Sequence, residues 1–91
     1  MSETLFLFDT PLSVTDGPSY VPRACGREME DGLWEGWVEF LPDDGSPMLR
    51  SPRETVQPNR GAAVYWATGL TPVYLEGALA RTLRHAETAI L

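Results

Sequence analysis

The tripeptide Glu30-Asp31-Gly32 separates two patterned segments, Tyr20–Met29 and Leu33–Leu41, and this one turn constrains the fold more than anything else in the chain. An Asp-Gly pair between alternating segments is a strong short-range signal for a β-hairpin. Charge then selects its register. A two-residue loop at Asp31-Gly32 sets Glu28 opposite Glu35, a like-charge cross-strand pair. A three-residue loop with Gly32 in the left-handed conformation instead pairs Arg27 with Glu35 and Arg23 with Glu39. It also sets Gly26 against Gly36 and Cys25 against Trp37. The second register is therefore the expected one.

Alternation along the strands sorts the faces. Tyr20, Ala24, Trp34, Val38 and Phe40 share the face expected to form the core. The Gly26–Gly36 pair leaves a depression there for a bulky helix side chain, with Trp66 as the candidate to fill it. The opposite face carries Arg23, Cys25, Arg27, Met29, Leu33, Glu35, Trp37 and Glu39.

The flanking segments complete the layout. Thr4–Phe8 reads as a short strand, apolar on both faces and so expected to be buried or covered. Residues 42–46 form a turn, and Pro47–Ser51 is expected to be a third strand. Pro52 and Pro58 mark a partly extended connection. Asn59 caps a short helix from about Arg60 to Thr68, which stops at Gly69. Thr71 and Pro72 open a longer helix with a stripe of Leu75, Leu79, Leu83, Ala86 and Ile90. Gly77 within it costs up to ~1 kcal/mol relative to alanine, an expense that close approach to the sheet would explain. The expected fold is one small α+β domain spanning residues 1–91. Its antiparallel sheet has three to four strands around a central hairpin at 20–41, with a short and a long C-terminal helix on one face.

Composition narrows the chemistry. Ninety-one residues suit a single compact core with little space for an enclosed catalytic cavity. The apolar start is broken by Asp9 and Pro11 and has no preceding basic residue, so it reads as neither a signal peptide nor a membrane span. A cytoplasmic protein is the expectation. Cys25 and His85 are each the sole residue of their kind, which argues against a disulfide or a cluster of histidine and cysteine metal ligands. All seven basic residues are arginine, so no lysine can form a Schiff base or a P-loop. No metal or other cofactor is expected.

Catalytic readings are weak. Cys25 and His85 could serve as nucleophile and base, but no glycine-rich elbow or oxyanion-hole signal accompanies them. Asp43, Asp44, Glu30 and Asp31 are explained by turn formation. The reading is non-catalytic.

Charge favours a protein partner. Residues 1–45 carry −8 and residues 46–91 carry +2, within an overall −6 that disfavours nucleic acid. Two candidate sites emerge. The first is the outer sheet face, with Arg23, Arg27, Glu35, Trp37 and Glu39 binding a protein partner or a second copy of the chain. Within it, Arg23 and Arg27 lie diagonal to Trp37 and are expected to stack on its ring. The second is the connection bearing Arg50, Arg53 and Arg60, which could clamp an anion or nucleic acid near the start of the short helix.

The order of Tyr20, "GLWEGWVEFLPDDG" and "TPVYLEGALARTL" resembles HicB-type antitoxins. That resemblance implies a compact βββα core that binds and silences a small toxin, often as an oligomer. The arginine-rich connection before the long helix departs from that layout.

Overall fold

The computed structural model describes the backbone of residues 1–90 and the side chains of residues 1–86. Five strands and two helices follow in order: β1 (Glu3–Leu7), β2 (Tyr20–Glu28), β3 (Trp34–Pro42), β4 (Leu49–Arg50), β5 (Thr55–Gln57), α1 (Arg60–Thr68) and α2 (Pro72–Ile90). The sheet is antiparallel, ordered β1-β2-β3-β4, with β5 also paired to β3. This is the expected α+β architecture with a short and a long helix.

The central hairpin adopts the charge-selected register. Arg27 faces Glu35, Gly26 faces Gly36, Cys25 faces Trp37 and Arg23 faces Glu39. Met29 N–H donates to the Leu33 carbonyl at 2.7 Å, closing a three-residue loop in which Gly32 has φ +84°. That left-handed conformation is one a residue with a Cβ rarely adopts.

Both helices cover one face. Tyr20, Val38 and Phe40 of the sheet pack with Leu75, Ala78 and Leu79 of α2 in the buried cluster. Trp66 of α1 fills the space above Gly36, where a Cβ would lie 2.7 Å from its Cζ3 atom. Gly26 is filled differently. Leu5, at a register shift in β1, covers it with Cδ1 2.8 Å from a hypothetical Cβ. Trp34, expected on the core face, lies near the hairpin tip and is half-buried.

Helix boundaries follow the predicted caps. Asn59 Oδ1 accepts from Ala62 N–H at 2.8 Å, and Thr71 Oγ1 accepts from Tyr74 N–H at 3.2 Å. Gly69 ends α1 by donating its N–H to the Trp66 carbonyl at 3.1 Å. Leu75 and Leu79 are buried and Leu83 and Ala86 half-buried; the Ile90 side chain lies outside the described residues.

Three expectations need correction. Thr4–Phe8 is not covered on both faces: β1 lies at the sheet edge, with Phe6 and Leu7 exposed. The segment after Pro47 gives two short strands along β3 where one was expected. Pro52 interrupts them, and Ser51 Oγ accepts from Val38 N–H at 3.0 Å across the break. Gly77 makes no close approach to the sheet, since a Cβ there would meet only the flexible Arg81 Nη1 at 3.5 Å.

Candidate functional site

The helices leave the other sheet face to side chains alone, and its layering follows from the register. Glu35 and Glu39 point outward from β3 but are only 6% and 8% exposed. Arginines lie over them. Arg23 Nη2 is 2.6 Å from Glu39 Oε1. Arg27 pairs with Glu35 Oε2, and Arg53 Nε donates to Glu35 Oε1 at 3.2 Å. The side chains of Arg23, Arg27 and Arg53 keep 32%, 48% and 54% of their accessibility, so the solvent-facing charge is guanidinium.

Trp37 lies within this lattice at 1% exposure. Its Nε1–H donates to Glu39 Oε2 at 3.0 Å. The stacking partner is not Arg23 or Arg27, which the two carboxylates engage. Arg50 of β4 takes that place, its Cζ 3.9 Å from the ring centroid. Trp37 is thus covered by its own chain, as a platform beneath the surface rather than a projecting anchor.

Electrostatics agree with this order. Hydrogen bonding to Arg27 holds the Glu35 carboxyl below its ordinary value, against the opposing effect of burial, with Arg53 adding to the depression. Burial raises the Glu39 carboxyl, but hydrogen bonds from Trp37 and Arg23 more than offset it and leave the value lowered. Burial and the neighbouring Glu39 charge push the Cys25 thiol up to about 11. That thiol is a poor nucleophile at neutral pH. The sheet also lies between it and α2, which carries His85, so the two do not form a catalytic pair.

The two candidate sites partly merge. Arg50 and Arg53 come to the same face as Arg23, Arg27, Glu35, Trp37 and Glu39. Arg60 does not. It starts α1 on the helix side and binds both oxygens of Glu3, at 3.0 and 2.9 Å. The Arg53–Arg60 clamp at the start of α1 is therefore not assembled. Charge balance alone could not reveal this, because Glu3 is 57 residues away in sequence.

No known protein family, curated protein or solved structure matches the chain. Among the described residues, no group of three histidine, cysteine, aspartate or glutamate side chains is placed to hold a metal ion. No helix among them is long and apolar enough to cross a membrane.

Sequence reasoning missed a second polar cluster. Glu54, between β4 and β5, accepts from the Tyr74 hydroxyl and from Arg81 Nη2, the latter at 3.0 Å. Burial and the Glu54 carboxylate push the Tyr74 hydroxyl up to about 12. The cluster ties the connection to α2, and its three members satisfy one another. Its signal, a tyrosine and an arginine seven apart on α2, is too common to have been read alone.

Proposed function

We propose that the chain is a non-catalytic protein-interaction domain whose outer sheet face docks a partner presenting carboxylates. The observation that carries this reading is the vertical order of charge on that face. Its two carboxylates are buried, while four arginines lie above or beside them. Arg23, Arg27, Arg50 and Arg53 against Glu35 and Glu39 give +2 at the middle of the face; Glu28 and Glu30 offset this at the hairpin end, so the positive excess lies toward Arg50 on a chain of net −6. A basic surface on an acidic protein attracts an acidic patch and orients it during encounter.

The same charge argues against a second copy. A two-fold dimer centred on the Arg50 end of this face would set two positive patches against each other, a like-charge contact that costs affinity. The acidic remainder also repels nucleic acid. An antitoxin-like role would be one instance of the proposed docking.

The test compares proteins retained by the immobilised chain, by Arg50→Glu/Arg53→Glu and by Arg60→Glu, in extract of its own cells. Circular dichroism first establishes that each variant is folded. The expected result is an acidic protein held by the unaltered chain and by Arg60→Glu, lost from the double reversal, and released by raised salt. Retention indifferent to the double reversal, self-association through this face, or no retained protein would each overturn the proposal.

A further inference from the structure

The four arginines of the outer face are not equally engaged. Arg27 and Arg53 share Glu35, and Arg23 holds Glu39 Oε1. The other oxygen of Glu39 accepts from Trp37 Nε1. Arg50 is the direct cross-strand neighbour of Glu39, yet that carboxylate bonds Arg23 and Trp37 and not Arg50. Its exposed guanidinium lies on the Trp37 ring, and no described side chain accepts a hydrogen bond from it.

Stacking has a chemical consequence. A guanidinium on an aromatic face is fixed in its plane, while its N–H groups point outward around the edge. An open edge held in a set orientation suits a carboxylate that accepts two parallel hydrogen bonds, with little ordering left to be done on binding. The far end of the face is less suited to an anion. There Arg27 and Arg53 line a hollow with Glu28 and Glu30 as well as Glu35.

We infer that Arg50 is the anchoring residue of the outer face. Its free guanidinium edge receives a partner carboxylate through two hydrogen bonds, and Trp37 holds the plane. This rests on the docking role proposed above and names the residue that confers its preference for planar anions.

The experiment follows the Nε–H signals of the full chain, labelled with ¹⁵N-arginine, during titration with hexaglutamate. Arg50 is expected to shift first and furthest among Arg23, Arg27, Arg50 and Arg53. Arg50→Lys retains the charge but not the planar fork, and should weaken hexaglutamate about tenfold, the scale of one lost charge-assisted hydrogen bond. The Trp37 indole N–H signal verifies that this variant keeps the fold.

Equal affinity for Arg50→Lys would overturn the inference, because a point charge would then suffice. Shifts at Arg23, Arg27 or Arg53 without Arg50 would overturn it and leave the docking face standing. Silence at all four would remove both. Inorganic phosphate forms a separate arm, and tighter binding of phosphate than of hexaglutamate would refute the carboxylate assignment.

Discussion

Trp37→Ala is expected to destabilise the domain by about 3–5 kcal/mol, the usual cost of removing a buried large aromatic side chain. Trp37 is 1% exposed, so truncation opens a void under the outer face. It also removes the N–H that Glu39 Oε2 accepts and the surface on which Arg50 lies. Glu39 is 8% exposed and would keep Arg23 as its one remaining partner among those bonds. Domains of this kind are stable by roughly 5–15 kcal/mol, so the variant should be partly unfolded at moderate temperature. Urea denaturation followed by far-ultraviolet circular dichroism measures the loss. A cost below about 1 kcal/mol would mean that Trp37 is a surface residue. Trp37→Ala is for this reason a stability variant, and the partner-binding tests use arginine substitutions instead.

Gly36→Ala is expected to cost about 1–3 kcal/mol, the range for overpacking a filled site. The new Cβ would lie 2.7 Å from Trp66 Cζ3 and 2.9 Å from Thr55 Cγ2. An indole ring in a helix packed on the sheet cannot yield as the end of a flexible chain can. Trp66→Leu should relieve the clash, so Gly36→Ala ought to cost appreciably less in that background. A double-mutant cycle measures this coupling, expected at about 1 kcal/mol or more. Strict additivity would show that Trp66 does not occupy the space over Gly36.

The readable parts of this fold are those where two residues constrain each other through a short, regular element. Arg23 and Arg27 each find their glutamate because one turn fixes both distances. Trp66 meets Gly36 because a missing Cβ on the core face calls for a large partner. Leu5 was not foreseen over Gly26, since it arrives through a bulge in β1 that alternation does not reveal. Likewise β5 is too short, between Pro52 and Pro58, to show periodicity. It forms because β3 offers a free edge from Trp34 to Gly36.

That Arg23, Arg27, Glu35, Trp37 and Glu39 share one face was legible; the arrival of Arg50 and Arg53 there, and the layering of the whole, were not. Sequence placed arginine, glutamate and tryptophan on one face without ranking their depths. Depth follows from Arg50, 13 residues beyond Trp37, lying on the ring, and from Glu39 bonding Trp37 and Arg23 beneath the surface.

The carboxylates of the outer face lie ionised beneath guanidinium groups, a state that pH titration of the Glu35 and Glu39 side-chain carboxyl carbons by ¹³C nuclear magnetic resonance reads out. Both should titrate below the ordinary 4.5, Glu35 through Arg27 and Arg53, and Glu39 through Trp37 and Arg23 in spite of burial. A depressed folded value means stability present above 4.5 and lost as pH falls through the folded value, so unfolding free energy should decline together with these signals. Either carboxyl titrating at or above 4.5 would contradict the layered face.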